Sequence, residues 1–289
     1  MIVIINKPGQ LGNRLFVFAH CIACAAEHGL RISNPSFDEY APFFVGTRND
    51  LLCRYPRPVR PLPPAPITRR AFFQSVNLLG LTVTRLGLQT GLVRYVRIDW
   101  DHPFSLDDPM NVARLKSARL IVLYGWLFRG PQTLLKHQDL VRAYLTPVDV
   151  HTSQICNLIT KARSVCDVLV GVHIRHGDYR TFLGGRYFYP IEVYAALMRQ
   201  VEALFPTQRV GFLVCSNEPL PPDVLAEFRV THGTNHLVED MYAFARCDYI
   251  VGPPSTYTAW SSFYGNVPMH HVADPVGQIA LNLFQVAGA

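Results

Sequence analysis

The stretch Val168–Arg180, VLVGVHIRHGDYR, constrains the fold of this chain more than any other. Its first half, Val168–Ile174, is a short apolar run rich in β-branched residues, which predicts a strand buried on both faces, as in parallel sheets. Polar residues follow at once, and His173 and Arg175 share one face because side chains alternate along a strand. Gly177 then permits a sharp turn. Ligands of open α/β sheets bind outside the carboxyl ends of strands, so we expect a site here.

The arginine at this strand end has two interpretations. The guanidinium of Arg175 offers a fork of donors that matches a phosphate, so it can serve as an anion receptor. Alternatively, Arg175 forms a structural salt bridge with Asp178, three residues later. The residues by themselves favour neither interpretation.

The composition indicates a globular protein with a substantial core, because 49% of the 289 residues are hydrophobic and 17% are charged. The net charge of +6 is compatible with anionic substrates such as nucleotide sugars, or with a negative membrane surface. A nucleic-acid partner is not expected, since no dense basic stripe with interleaved aromatic residues occurs.

The cysteines and the N-terminal residues favour a cytoplasmic, bacterial-type protein. Seven cysteines, an odd number, argue against a disulfide framework and indicate a reducing compartment. Cys21 and Cys24 lie in a helical apolar pattern without a second pair, which predicts buried thiols rather than zinc ligands. The opening MIVIINKPG has no basic region and too short an apolar run for a signal peptide or membrane anchor. A peripheral position at the inner face of a membrane stays open.

The chain begins with the pattern of a nucleotide-binding-like α/β unit. Met1–Asn6 predicts a strand, a glycine turn follows, and a long apolar-periodic run ends at Gly29. The spacing G-x-x-G-N is not the dinucleotide fingerprint, so no nicotinamide cofactor is expected. Asn13 lies in this turn, where a turn or capping role would also explain it.

A proline-rich segment, Pro56–Pro66, predicts extended or irregular backbone. Together with its neighbours it forms a predicted basic patch of Arg54, Arg57, Arg60, Arg69 and Arg70. One interpretation is a solvated loop, and the other is contact with a lipid-linked acceptor at a membrane.

A domain boundary is predicted near residue 150, after the strand Leu120–Tyr124 and a helical segment closed by Pro147. Beyond it, helices are predicted near 152–165, 190–204, 222–228, 239–246 and 255–264, and strands near 168–174, 209–215, 249–251 and 267–272. Repeating βα units of this length predict a doubly wound parallel sheet with right-handed crossovers.

Three segments resemble the α-1,2-fucosyltransferases, glycosyltransferase family eleven. HIRHGDY is similar to the family motif H-x-R-R-G-D-Y, with His176 in place of the second arginine. GQLGNRLFVFA, at 9–19, is similar to the opening G-G-L-G-N-Q-L/M-F-Q-Y-A. The segment EDMYAFARCDYIVGPPSTYTAWSSFYG, at 239–265, is similar to D-M-x-L-M-x-x-C-x-x-x-I-x-x-N-S-T-F-S-W-W-G, with Pro254 in place of the asparagine.

The resemblance implies a fold and an activity. The fold is α/β of the GT-B type, two Rossmann-like domains with parallel sheets facing a cleft. Residues 1–150 form the acceptor-side domain and 151–289 the nucleotide-sugar domain. The activity is inverting transfer of fucose from GDP-fucose to a hydroxyl of a glycan or lipid-linked oligosaccharide acceptor, with no metal and no cofactor.

The resemblance also assigns residues. Arg175 and Asp178 carry catalysis, although Asp178 is either a base or the group that orients Arg175, and Asn13 binds the acceptor. The donor-binding residues are His173, Gly177, Asp240, Ser255, Thr256 and Tyr257. Independently, a rigid loop precedes Ser255 at a predicted helix start, and free amides there make a phosphate seat that is compatible with an N-cap serine.

Two other functions stay open. Asp99 and Asp101 form the D-x-D pattern by which another glycosyltransferase architecture holds a metal and a diphosphate, so a metal-dependent enzyme for another nucleotide sugar is one alternative. We expect no metal site, because carboxylates bind hard metals only where more oxygens converge. The other alternative is a non-catalytic nucleotide-sugar-binding protein, since the family's second arginine is absent.

Overall fold

A computed structural model describes residues 1–98, 102–221 and 224–288 of the chain. These residues divide into two compact units, Met1–Val148 and Asp149–Gly288. Each unit contains, within its described residues, a five-stranded sheet flanked by helices. The predicted α/β class with parallel sheets is therefore confirmed. No helix in this described part of the chain combines the length and the apolar character that crossing a bilayer requires.

The first unit is built on a sheet of strand order β3-β2-β1-β6-β4, in which only β3 runs antiparallel to its neighbour. Its elements are β1 (Ile2–Ile4), α1 (Leu11–His28), β2 (Ile32–Ser33), β3 (Arg54–Tyr55), α2 (Pro66–Arg85), β4 (Val93–Arg97), β5 (Phe104–Ser105), α3 (Pro109–Lys116), β6 (Leu120–Tyr124), β7 (Phe128–Arg129), α4 (Pro131–Lys136) and α5 (Gln138–Tyr144). β5 and β7 form a separate two-stranded sheet.

Helix α1 is the predicted buried helix after the first strand. It ends where Gly29 adopts a left-handed φ of 63° and donates its N–H to the Ala25 carbonyl, a conformation that favours glycine. Cys21 and Cys24 are buried in it as free thiols. Burial raises the pKa of Cys24 to about 12, so this thiol is protonated at neutral pH.

Helix α2 was not predicted from the sequence. Its inner side packs on the sheet, where Val76 and Val83 contact a cluster that includes Ile5. Gly80 lies so close to Ile5 that a side chain there would collide with it. The Asn77 side-chain amide donates to the Ile5 carbonyl at 2.6 Å. Tertiary packing thus stabilises a helix whose sequence has weak intrinsic preference.

The second unit contains a fully parallel sheet of order β10-β9-β8-β11-β12. Its elements are α6 (Asp149–Arg163), β8 (Val168–Ile174), α7 (Ile191–Ala203), β9 (Val210–Ser216), β10 (Val230–His232), α8 (Leu237–Phe244), β11 (Tyr249–Gly252), α9 (Thr256–Gly265) and β12 (Met269–His271). β8 is central and all its residues are buried, which confirms the predicted strand. The strand order reverses between β8 and β11, which is the topological switch point where ligands of such sheets bind.

One predicted helix of the second unit is wrong within the described residues. Residues 224–227 form turns rather than the predicted helix near 222–228, and residues 222 and 223 lie outside the description. The segment between Pro222 and β10 is too short for its helical hydrogen bonds to offset the free-energy cost of helix nucleation.

Candidate functional site

The chain turns sharply at the carboxyl end of β8. Gly177 has a φ of +40°, and a side chain there would collide with the amide of Asn217. Asn217, which follows β9, also accepts a hydrogen bond from the His176 N–H through its Oδ1 at 2.8 Å. The predicted donor-binding glycine is therefore required by this turn, and the turn is fixed by the neighbouring strand.

Arg175 lies just beyond β8, and its guanidinium is held on two sides. Nη2 donates to Oδ2 of Asp178 at 3.0 Å. The guanidinium carbon lies 5.4 Å from the centre of the Tyr179 ring, within cation–π range. The Arg175 side chain is 14% exposed and that of Asp178 is 48% exposed. The structure thus brings the two predicted catalytic residues into direct contact and leaves the carboxylate accessible.

The loop between β11 and α9 is fixed against β8 and β12. The Tyr179 hydroxyl donates to the Pro254 carbonyl at 2.7 Å. Ser255 caps α9, because its Oγ accepts from the Tyr257 N–H at 3.1 Å. Nε2 of His271, the last residue of β12, lies 3.4 Å from the Ser255 nitrogen and accepts its hydrogen. The predicted helix start is therefore present as a rigid, capped N-terminus, with Thr256 as its first helical residue.

The rings of His173 and Tyr257 are in direct contact at the carboxyl end of β8. They stack at a centroid distance of 5.1 Å and an interplanar angle of 26°. Burial, with a smaller effect from Arg175, lowers the pKa of His173 to about 3, so the ring is neutral. Its Nδ1 is buried and has no hydrogen-bond partner among the described residues. Buried polar atoms usually have partners, so this nitrogen is a candidate contact for a ligand group.

Asp240 stands on α8 and organises the loop after β10. Its Oδ1 accepts from the N–H of Thr234 at 2.7 Å and from the Thr234 hydroxyl at 3.2 Å. Burial raises the pKa of this carboxyl group. The Tyr257 hydroxyl donates to the Leu237 carbonyl at the start of the same helix, at 2.7 Å. The predicted donor-binding residues thus surround the carboxyl ends of β8, β10 and β11.

Two features of this region were missed from the sequence. Tyr179 and His271 both fix the β11–α9 loop, and a polar residue at the end of a predicted strand was the available signal for His271.

The ligand atoms of His151, His236 and Glu239 also lie within 4.8 Å of one another. Nδ1 of His236, however, accepts from two backbone N–H groups and caps α8, so we interpret this group as a helix cap.

A separate cavity of about 590 Å³ lies in the first unit, at the carboxyl ends of β1, β4 and β6. Its lining combines aromatic rings with amides and a cation, namely Asn6, Phe73, Asn77, Arg97, Tyr124 and Trp126. Oδ1 of Asn6 accepts from the Gly125 N–H at 3.0 Å, which orients its amide. Ligand pockets commonly have this mixture of apolar walls and a few oriented polar groups.

Asn13, the predicted acceptor residue, lies beside this cavity rather than in its lining. It is in the first turn of α1, where Gln10 and not Asn13 occupies the N-cap position. Its side chain contacts the position of Gly9, which does line the cavity. Asn13 is therefore not the N-cap, while its contact with Gly9 leaves the turn role open, and the acceptor role stays a prediction.

The predicted basic patch divides into structural and exposed arginines. Arg69 is 5% exposed and donates to three backbone carbonyls within residues 47–50. Arg54 forms a salt bridge with Asp50 at 2.7 Å. Both are fixed by the fold, which corrects the prediction that all five belong to one surface patch. The remaining three, Arg57, Arg60 and Arg70, are exposed.

The D-x-D residues Asp99 and Asp101 lie outside the described residues.

Comparisons with known proteins identify the fold. No protein-family model and no curated protein matches the sequence. A mutant of Arabidopsis thaliana FUT1 in complex with GDP is similar, with a TM-score of 0.60 and 14% identity over 98% of this chain and 72% of that one. Fucosyltransferase NodZ from Bradyrhizobium has a TM-score of 0.56 and 17% identity over 96% of each chain. POFUT1 in complex with GDP-fucose has a TM-score of 0.56 and 13% identity over 92% and 94%. At these identities the likeness shows the fold, which is the predicted GT-B type with Rossmann-like architecture.

Proposed function

We propose that this protein is an inverting glycosyltransferase that moves fucose from GDP-fucose to a hydroxyl of a glycan acceptor. At the switch point of the second sheet, a fixed guanidinium is combined with a capped helix N-terminus. This observation carries the proposal. Arg175 and the α9 start at Ser255 are linked through Tyr179, whose hydroxyl contacts the intervening loop. Two structural neighbours, NodZ and POFUT1, have been solved with GDP-fucose, which supports the choice of donor.

At the anomeric carbon the reaction forms one bond and breaks one. The acceptor hydroxyl oxygen bonds to the anomeric carbon while the bond from that carbon to the β-phosphate oxygen breaks, and the hydroxyl proton passes to the carboxylate of Asp178 or to solvent water. Negative charge accumulates on the departing diphosphate. Arg175 and the backbone N–H groups at the start of α9 stabilise this charge, and because both are already held in place they need little reorganisation.

Asp178 has two roles open to it in this scheme. Its Oδ2 accepts from Arg175, which supports a role in orienting the guanidinium. Its side chain is also about half exposed, which is compatible with accepting a proton from an acceptor hydroxyl. We favour the orienting role, because the contact with Arg175 already exists.

The nucleotide is proposed to bind against the stacked rings of His173 and Tyr257. Nδ1 of His173 would then take a partner from the base, while Gly177 shapes the turn after β8 and Thr256 offers its N–H and hydroxyl to the phosphates. Asp240 would hold the loop after β10 in the shape that this pocket needs. The choice of guanine rests on the structural neighbours rather than on a contact in this chain.

The acceptor is proposed to be a glycan or a lipid-linked oligosaccharide that enters the cavity of the first unit. The aromatic rings of Phe73, Tyr124 and Trp126 line this cavity and offer apolar surface to sugar rings, and the amides of Asn6 and Asn77 offer hydrogen bonds. No metal and no cofactor enters the proposal, since the reaction needs only the charge stabilisation described above. We place the protein in the cytoplasm, with access to the inner face of a membrane.

The test is a thermal-shift screen followed by turnover measurements. GDP and GDP-fucose are expected to raise the melting temperature more than UDP, CMP or NAD, because a ligand at about 100 times its dissociation constant stabilises the native state by about 2.7 kcal/mol. Release of GDP from GDP-fucose in the presence of glycan acceptors should follow, and should survive excess EDTA. Larger shifts with UDP-sugars, or activity that is lost in EDTA and in Asp99→Ala, would replace the proposal by the metal-dependent alternative. Binding of GDP without turnover on any acceptor would support the non-catalytic one.

A further inference from the structure

Residues 51–98 concentrate the positive charge of the chain. They contain no Asp, Glu, Lys or His, and they contain the arginines Arg54, Arg57, Arg60, Arg69, Arg70, Arg85, Arg94 and Arg97. Of the 27 basic and 21 acidic residues in the whole chain, these eight account for more than the net charge of +6. The rest of the protein is therefore slightly acidic. Arg69 is buried and Arg54 pairs with Asp50, so the exposed positive charge of the segment lies on the other arginines.

The same segment exposes large aliphatic side chains. Val59 is 100% exposed, Ile67 84% and Leu79 67%. The other exposed aliphatic residues of the segment are Leu62, Leu78, Leu86 and Leu92. Isolated exposed aliphatic residues are common on protein surfaces, but here they alternate with exposed arginines along one continuous stretch.

The two sides of α2 are chemically different. Its inner side, with Asn77 and Gly80, packs on Ile5, just beyond the first strand, as described above. Its outer side carries Ile67, Leu78 and Arg85, which recur at the helical period and are all exposed. The outer side is therefore an amphipathic surface of aliphatic residues and arginines with no acidic residue among them.

We propose that this surface, formed by the loop 56–65 and the outer side of α2, binds an anionic lipid bilayer. Aliphatic side chains of this length enter the boundary between headgroups and acyl chains, while arginines contact the lipid phosphates. Charge complementarity selects the partner, because a second copy of this chain would present the same positive surface and be repelled. A nucleic acid would leave the aliphatic side chains without a partner. The inference does not depend on the proposed transferase activity.

The first experiment measures flotation of the full chain with vesicles. Binding is expected with phosphatidylcholine mixed with phosphatidylglycerol, weak binding with phosphatidylcholine alone, and release as salt is raised. Removing three exposed arginines of the surface should lower the partition coefficient by about a hundredfold, since each is worth about fivefold near an anionic surface. This variant is Arg57→Ser, Arg60→Ser and Arg70→Ser. A control with the same charge change at exposed positions of the same unit, Arg114→Ser, Lys116→Ser and Arg119→Ser, should stay within about twofold of wild type.

The second experiment tests the aliphatic contacts. Leu78→Asp with Leu79→Asp should lower binding at least about tenfold at unchanged melting temperature, because both side chains are already exposed. Met110→Asp with Ala113→Asp, at two exposed positions of α3, adds the same charge and is the matched control, which should bind like wild type. Equal binding to both vesicle types, or equal losses in the variants and their controls, would overturn the proposal. So would a dimer in solution that these variants dissociate, without any binding to vesicles.

Discussion

Arg175 is a cation whose position is fixed by its own neighbours. The Asp178 carboxylate accepts from it and the Tyr179 ring lies beneath it, so these neighbouring side chains hold its guanidinium in place. A group of this kind accelerates a reaction only if its contact with the substrate strengthens as the transition state forms. Negative charge on a departing diphosphate meets that condition, so the loss of Arg175 should mainly lower kcat.

Arg175→Ala is expected to lower kcat by about 10²–10³, the usual effect of removing one charge-stabilising donor. Arg175→Lys keeps the charge but loses the fork and should recover only a small part. Arg180→Ala is the matched control, because Arg180 pairs with Glu218 at 2.9 Å on the surface, where a salt bridge contributes little. The measurement is kcat with GDP-fucose beside the melting temperature of each variant. A folded Arg175→Ala with wild-type kcat would remove this residue from the mechanism.

Some residues of the site could be recognised from the sequence and others could not. His173 and Arg175 stand out because polar residues interrupt a buried strand pattern at its end. The hydrogen bond from Tyr179 to Pro254 joins residues 75 positions apart, so no local pattern contains it. The same limit explains the error on Arg69, whose buried guanidinium depends on carbonyls that the fold brings to it.

The element to which the proposed function assigns the diphosphate is the N-terminus of α9. Ser255 provides the cap, and His271 and Tyr179 fix the preceding loop. A carboxylate introduced at position 255 would have opposite effects on the helix cap and on anion binding. An aspartate satisfies the helix amides and the helix dipole, but it repels a diphosphate.

Ser255→Asp is therefore expected to keep the stability of the protein while it weakens GDP binding by about tenfold or more, a like-charge effect at close range. Ser255→Ala should lose about 1 kcal/mol of stability through the missing cap. Asp108→Ala removes the corresponding cap of α3, where the Asp108 side chain accepts from Met110, and should lower stability without changing GDP affinity. Calorimetric titration with GDP separates the two effects. Wild-type affinity in Ser255→Asp would show that the α9 start does not seat the phosphates.

Elements with strong periodic patterns could be predicted, and those that depend on tertiary contacts could not. β8 and α1 are continuous apolar or apolar-periodic runs, and both were placed correctly. α2 follows a proline-rich segment, contains Gly80 and several β-branched residues, and lacks the pattern of a stable isolated helix. Its inner side is defined by packing on Ile5, which the sequence does not reveal.

At the scale of the whole molecule, two buried histidines and one half-buried histidine make stability depend on pH. Burial lowers the pKa of His20 and of His173 to about 3 and that of His271 to about 4. His20 belongs to the first unit, and the other two belong to the second. Histidine content is visible in the sequence, but its burial depends on the finished fold, so this property could not be predicted.

The direction in which stability changes with pH follows from comparing the pKa values of each group in the folded and unfolded states. Unfolded histidine titrates near 6.5, so each lowered pKa contributes stability that is complete above that pH and is lost as the pH falls toward 3–4. Asp240 acts in the opposite direction, because burial raises its pKa and its contribution is lost as the pH rises. The lowered pKa of Glu27, about 2 through hydrogen bonds from Lys136 and His137, acts only below its ordinary value of 4.5. Between pH 6.5 and 5 the histidines therefore dominate the dependence of stability on pH.

We expect the free energy of unfolding to fall by about 2 kcal/mol per buried histidine between neutral pH and pH 5, since each unfolded ring then gains a proton that the folded ring excludes. The test is urea unfolding at pH 7 and pH 5 for wild type, His20→Gln and His102→Gln. Nδ1 of His20 accepts from the Gly130 N–H at 3.1 Å, and a glutamine oxygen can accept the same hydrogen, so His20→Gln should fold. It should lose less stability on acidification than wild type by about 2 kcal/mol. His102→Gln, at an exposed position of the same unit, should follow wild type. If wild type is equally stable at both pH values, these histidines are not held neutral by burial, and the stacked His173 ring loses its assigned state in the proposed nucleotide pocket.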